Sequence, residues 1–244
     1  MQRFFCSSPV IVQKTITITD RSQVHHLRDV VRLKPGEKIV IFDAKQEEYE
    51  CMLREVSENV SATIVRHSRR ANERATFSLA IACALPKNAK FDDIVDKLTQ
   101  LGVARIIPLV TERVIVRLDK ERVALKVARW RKIAVAAAEQ SQRSDVPLID
   151  EVMKVKDVLE IAGEYDLKLI PTLEGQRKKL AEVVLSAKLC SCMVLIGPEG
   201  DFTAHEVALA QKAGFIAVSL GERVLRVDTA AIASTAFIQL HAHR

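Results

Sequence analysis

The periodicity of the apolar residues changes once along this chain, and that change constrains the fold more than any single motif. From Val10 to Val65 the pattern alternates with period two and turns often: Thr15–Thr19, Ile39–Phe42, Glu48–Leu53 and Val60–Val65 each have strand length, and Pro35-Gly36 marks a turn. This predicts a small β-barrel or sheet. From Phe77 onward, strand-length apolar runs alternate with helical spacing, which predicts a mostly parallel sheet with helices on both faces. Between the two regions Arg66–Arg74 is charged, as a linker or hinge would be. At 244 residues and 48% apolar, the chain can bury a substantial core as one large domain or two modest ones.

Several elements of the second region can be placed. Phe91, Ile94, Val95, Leu98 and Leu101 share one helical face, and Gly102 stands where a C-cap glycine belongs before the strand Arg105–Val110. A long helix is predicted over Glu121–Gln142, with Trp130, Ile133 and Ala137 on its buried side. Tyr165–Ile170, Cys192–Ile196 and Ile216–Leu220 read as buried strands, the first ending at Pro171-Thr172. Thr203-Ala204-His205-Glu206 is a capping-box sequence that starts a helix ended by Gly214. The last helix is predicted to begin near Asp228 or Thr229 and to run through Ile232, Ala236 and Leu240.

Composition narrows the class. No apolar stretch has the length to cross a bilayer, and Met1-Gln2-Arg3-Phe4-Phe5-Cys6 lacks the apolar region of a signal peptide, so a cytoplasmic protein is expected. The five cysteines are scattered and mostly lie in apolar strand-like runs, against a disulfide framework, and Cys190-Ser191-Cys192 fits no common zinc pattern. No metal is expected. The net charge of +6 is compatible with a polyanionic partner, and cations concentrate in the first region at His25, His26, Arg28, Arg32, Lys34 and Lys38, then Arg66, His67, Arg69, Arg70 and Arg74. Lys and Arg spread over a small β-domain suit contacts to phosphates.

Two strand-to-helix loops concentrate the chemistry: Leu195-Ile196-Gly197-Pro198-Glu199-Gly200-Asp201-Phe202 and Leu220-Gly221-Glu222-Arg223-Val224-Leu225-Arg226-Val227-Asp228-Thr229-Ala230. Outside the carboxyl ends of the strands of an α/β sheet, two such loops can form two walls of one pocket. Gly197, Gly200 and Gly221 would let backbone amides approach a ligand, and Pro198 stiffens its turn. No Gly-Lys-Ser/Thr follows and no Gly-x-Gly-x-x-Gly occurs, so neither loop is a known phosphate cradle. Glu199, Arg223, Arg226, Asp228 and Thr229 are polar side chains in apolar surroundings, where charge is costly unless paired or used.

These two loops, together with Ala137–Arg143 (Ala-Ala-Glu-Gln-Ser-Gln-Arg), resemble the RsmE family of the SPOUT methyltransferase superfamily. The likeness extends to His26–Glu37, Asp96–Val103 and Pro108–Val114, and so spans nearly the whole chain. Asp201, Gln100 and Val227-Asp228 depart from the family pattern, which usually has glycine, glutamate and Thr-Glu there. At Asp201 the loss of a glycine would make positive φ costly, although Asp tolerates it better than most residues.

The resemblance implies a PUA-like RNA-binding β-domain over residues 1–72, followed over 75–244 by an α/β SPOUT domain with a mostly parallel sheet and a deep trefoil knot. It further implies methylation of N3 of a specific uridine in 16S ribosomal RNA, free or in the small ribosomal subunit, by a homodimer that uses S-adenosylmethionine and no metal. The cofactor would contact Thr172, Ile196, Gly197, Glu199, Gly200, Leu220, Gly221, Val224, Leu225 and Arg226, and the RNA would contact His26, Arg28, Arg32 and Lys34. The uracil N3 proton has to leave, with Asp228 as candidate base and Arg226 or Arg143 as candidate stabiliser of the anion. Asp228 can equally be read as a helix N-cap. Competing readings are a SPOUT enzyme acting on a ribose 2′-hydroxyl or on tRNA, and a non-catalytic RNA-binding protein.

Overall fold

The structure is a computed structural model that describes residues 1–69, 77–86, 91–113, 120–173, 175–186 and 190–241. Its contacts divide the chain into two units, Met1–Glu73 with Ala138–Val146, and Arg74–Ala137 with Pro147–Arg244.

The first unit holds β1 (Gln2–Phe5), β2 (Val10–Val12), β3 (Thr15–Ile18), α1 (Arg21–His25), β4 (Lys38–Phe42), β5 (Glu47–Val56) and β6 (Val60–Arg69). They form a six-stranded sheet in the order β1-β4-β5-β6-β3-β2, antiparallel except for the β1–β4 pair. Alternate residues Ile16, Ile18, Ile39, Ile41, Cys51 and Leu53 turn inward onto Val24 and Leu27, as the period of two requires. Asp20 caps α1 by accepting from the Gln23 N–H at 2.9 Å, and the chain passes directly into a π-helical turn, His26–Val30. The linker expected over Arg66–Arg74 is corrected in its first part, because β6 continues to Arg69. Backbone pairing with β5 continues to Arg69, and cross-strand side-chain contacts accompany it. Arg66 pairs with Glu50 at 3.5 Å, and His67 and Arg69 pair with Glu47 at 2.7 and 3.4 Å, while the His67 ring stacks on Tyr49. Residues 70–74 lie outside the described residues.

The second unit alternates strands and helices: β7 (Ser78–Ala84), α2 (Phe91–Gln100), β8 (Arg105–Val110), α3 (Lys120–Gln140), β9 (Leu148–Ile149), β10 (Met153–Lys154) and α4 (Val155–Ile161). There follow β11 (Leu167–Pro171), β12 (Lys178–Lys179), α5 (Leu180–Leu185), β13 (Ser191–Ile196), α6 (Ala204–Lys212), β14 (Ile216–Ser219) and α7 (Val227–His241). Every pairing in this sheet is parallel, in the order β10-β8-β7-β13-β11-β14-β12 with β9 beside β8. Leu79–Ala84 and Cys192–Leu195 are each 0% exposed along their whole length, because helices cover both faces. Each large apolar side chain buried in this way contributes roughly 1.5–3 kcal/mol. Trp130 is a core residue: it packs on Phe91 at 4.5 Å and donates its indole N–H to Asp92 at 3.0 Å. Gly102 adopts φ +89° at the end of α2, a conformation that favours glycine. α3 ends two residues earlier than predicted, at Gln140.

Four of the five cysteines are buried and one, Cys190, is exposed. Burial pushes the Cys51 and Cys192 thiols up to about 12 and raises Cys83 further, so these three are not poised as nucleophiles.

Candidate active site

Parallel pairing places the carboxyl ends of β13, β11 and β14 side by side, with Leu169 opposite Val194 and Pro171 opposite Val218. Three loops therefore leave the sheet at one edge, where ligands settle in open α/β folds. Between them is a cleft open to solvent. After β11 it is lined by Thr172, Leu173 and Arg177; after β13 by Gly197, Pro198, Glu199 and Asp201; and after β14 by Leu220, Gly221, Arg223, Val224 and Leu225. Pro171, Ile196, Ser219, Val227 and Ala230 complete the floor and sides.

The loop after β13 is a network of short bonds. The Asp201 N–H donates to the Pro198 carbonyl at 2.9 Å, and Asp201 takes φ +61°, the left-handed conformation that the missing glycine would have adopted without strain. One carboxylate oxygen of Asp201 accepts from the Phe202 N–H at 2.8 Å, and Phe202 is 2% exposed. Thr203 and Glu206 cap α6 reciprocally, at 3.2 and 2.9 Å. Glu206 is 2% exposed, and its other oxygen accepts from the Glu112 N–H at 2.9 Å, tying the end of β8 to the start of α6. A Cβ at Gly197 would stand 3.0 Å from the Phe202 ring and 3.3 Å from the Asp201 carboxylate. Gly200 is different: a Cβ there would meet Arg113 Cδ at an ordinary 3.6 Å, and its carbonyl accepts from the Arg113 guanidinium.

The loop after β14 is more exposed. Gly221 takes φ +123°, and the Ser219 hydroxyl both donates to its carbonyl at 3.0 Å and accepts from its N–H at 3.2 Å. Val224 is 71% exposed, and Leu173 across the cleft is 47% exposed.

Of the residues expected at the cofactor, Thr172, Ile196, Gly197, Glu199, Leu220, Gly221, Val224 and Leu225 line the cleft, whereas Gly200 and Arg226 do not. Sequence reasoning missed Arg177, which lies beyond β11 and donates to the Thr172 carbonyl at 2.9 Å, and missed Asp201 and Arg223 as lining residues. Asp201 was visible as a departure from the glycine pattern. Arg177 carried no motif.

Asp228 is the second residue of α7, not its cap. The Arg226 carbonyl accepts from the Ala230 N–H at 2.8 Å, so Arg226 holds the capping position, and the half-buried Asp228 carboxylate accepts from the Thr229 N–H at 2.9 Å. Asp228 and Glu199 both lie close enough to the Cys83 thiol to add to the rise that burial causes there. Arg143 falls in the first unit, where its guanidinium pairs with Asp145 at 2.6 Å and its side chain is 11% exposed.

The four residues expected to meet RNA, His26, Arg28, Arg32 and Lys34, are exposed on the first unit around the π-helical turn. Arg28 donates to both oxygens of Asp29, at 2.9 and 2.8 Å, and to the Ser57 carbonyl at 2.9 Å. The Arg28 hydrogen bonds, with His25 beside them, hold the Asp29 carboxyl down at about 2. Among the described residues no group of three or more His, Cys, Asp or Glu is placed to hold a metal ion, and no helix is long and apolar enough to cross a membrane.

Comparison with known proteins agrees with this geometry. Residues 72–239 match the model of an RNA methyltransferase domain, and residues 18–64 match that of an RNA methyltransferase PUA domain. The cleft at the carboxyl edge of the parallel sheet, preceded by a small β-unit, thus defines an RNA methyltransferase of the PUA-containing class. The chain is 31% identical to the ribosomal RNA small subunit methyltransferase E of Bacillus subtilis, over 94% of this chain and 93% of that one. It is 32% identical to the protein of the same name from Synechocystis, over 90% and 71% respectively. The crystal structure of the Neisseria gonorrhoeae enzyme of that name, bound to S-adenosyl methionine, superposes with a TM-score of 0.86 at 30% identity, covering 98% of this chain and 97% of that one. The chain belongs to the ribosomal RNA small subunit methyltransferase E family.

Proposed function

We propose that this protein methylates N3 of a uridine in 16S ribosomal RNA with S-adenosylmethionine, acting on free RNA or the small ribosomal subunit in the cytoplasm. The observation that carries this reading is the convergence of three loops, two of which hold the family's motifs, on one cleft. The lining suits such a cofactor. Ile196, Leu220, Leu225 and Val227 offer apolar cover for a flat base, Arg177 and Arg223 offer cations for a carboxylate, and Gly197 leaves room that a side chain would fill.

When bound, S-adenosylmethionine supplies an electrophilic methyl group and a neutral thioether as leaving group. The chain's own residues must orient the uracil and manage one proton. The neutral imide nitrogen has no available lone pair, so its proton leaves; Asp228, which follows the lining residue Val227 in the chain, takes it as general base, and Arg226, two residues before it, stabilises the anion. N3 lies on the pairing edge of the base, so the target is unpaired or turned out of its stack.

The domain division that accompanies this reading is an RNA-binding domain over 1–72 and a catalytic, knotted domain over 75–244. Arg32 and Lys34, exposed on the first unit, would contact phosphates. Replacing both by Ala is expected to flatten the salt dependence of RNA binding by roughly two phosphate contacts while cofactor affinity holds. We further infer a homodimer, the assembly that the family resemblance implies. Light scattering tests that inference. Calorimetry with S-adenosylmethionine, and mass spectrometry of ribosomal RNA from a deletion strain, test the activity: an RNA that keeps its N3-methyluridine without this protein would refute it.

A further inference from the structure

The second carboxylate oxygen of Asp201 reaches the neighbouring loop after β11. It accepts from the Thr172 hydroxyl at 2.9 Å and from the Leu173 N–H at 2.8 Å. The first oxygen meanwhile holds the Phe202 N–H of its own loop. One side chain thus joins the loop after β11 to the loop after β13, and both loops border the cleft. A glycine at this position would adopt φ +61° with less cost, yet would leave the Thr172 hydroxyl and the Leu173 N–H without this acceptor. Thr172 is 5% exposed, so its hydroxyl has little access to water as a replacement.

Building on the cofactor reading above, we propose that Asp201 is a positioning residue: its carboxylate clasps two walls of the cleft at a fixed separation and so prepares it for S-adenosylmethionine. The left-handed backbone at Asp201 is the cost of placing an acceptor where glycine would be easier. Gly197 permits the arrangement, because a side chain there would press on both Phe202 and the Asp201 carboxylate. The clasp acts before the ligand arrives, and the gain is in binding rather than in the chemical step.

Three variants separate this role from its rivals. Asp201→Gly suits the backbone, so its melting temperature is expected to stay near the parent's, while its Kd for S-adenosylmethionine rises about tenfold or more. Asp201→Asn keeps one oxygen for Thr172 and Leu173 and tolerates positive φ, so it should recover much of that affinity. Thr172→Val removes one arm of the clasp without touching Asp201 and is expected to raise Kd about three- to tenfold; in the double variant with Asp201→Gly it should add little. If Asp201 instead meets the ligand by its charge, Asn is as poor as Gly and Thr172→Val binds normally, which overturns the clasp. Equal affinity of Asp201→Gly and the parent overturns it too, leaving the cofactor reading intact. A parent that binds no S-adenosylmethionine overturns both.

Discussion

The two motif loops of the cleft solve the same task in opposite ways. The loop after β13 is built from within: Pro198 accepts from Asp201, Asp201 accepts from Phe202, and Thr203 and Glu206 cap the helix that follows. Its apolar anchor, Phe202, is 2% exposed. The loop after β14 is held near its start by Ser219 and Gly221, and then presents Val224 at 71% exposure. One wall exists before any ligand does, and its shape sets what can enter. The other offers apolar surface that a ligand can cover. Substitutions should therefore act sterically on the first wall and through lost contact area on the second.

The largest expected effect tests the prebuilt wall. In Gly197→Val the new side chain must displace the buried Phe202 ring or the Asp201 carboxylate, so S-adenosylmethionine affinity should fall more than about 100-fold, with a lowered melting temperature. Near-normal calorimetric affinity would show that this wall yields, and the contrast between the loops would collapse. Next comes chemistry at the end of the open wall. Asp228→Asn leaves the helix start intact, because Arg226 holds the capping position, and should lower single-turnover methyl transfer about 100-fold with cofactor binding preserved. A change of only a few-fold would send the proton elsewhere, for example to water.

Val224→Ala probes contact area alone. Loss of two methyl groups from an exposed side chain should leave the melting temperature unchanged and weaken S-adenosylmethionine about fivefold to tenfold if the ligand covers it. An unchanged Kd would mean that the open wall stays open in the complex. The smallest effect sharpens the comparison within the first loop: Gly200→Ala, with ordinary room beside Arg113 and no positive φ, should change affinity by less than about twofold. A larger loss would bring the Gly200 backbone back into the cofactor site.

What was legible in the sequence followed from local physics. The parallel sheet showed as runs buried on both faces, such as Leu79–Ala84, and the α6 boundary showed as Thr203, Glu206 and Gly214. Both motif loops were found because glycine and proline mark turns wherever they stand. The extension of β6 through Arg66–Arg69 was not legible. Those residues lack the apolar alternation of a strand, and their partners in the ladder lie on β5, some 20 residues away in the case of His67 and Glu47. Gly200 looked like Gly197 in the sequence because spacing cannot tell a glycine that faces a packed ring from one that faces a flexible arginine.

By itself the sequence determined the change from period-two strands to alternating strands and helices, the parallel sheet, the family and the identity of the two motif walls, since each depends on periodicity, turn chemistry or a motif read over a short span. Tertiary structure alone decided that β11 lies between β13 and β14, and hence that Thr172, Leu173 and Arg177 form a third wall. It also decided that Asp201 bonds to Thr172 in the neighbouring loop, 29 residues away in the chain. Strand order depends on how crossovers pack against both faces of the sheet, and a hydrogen bond between loops depends on that order; neither leaves a periodic trace in the residues that make it.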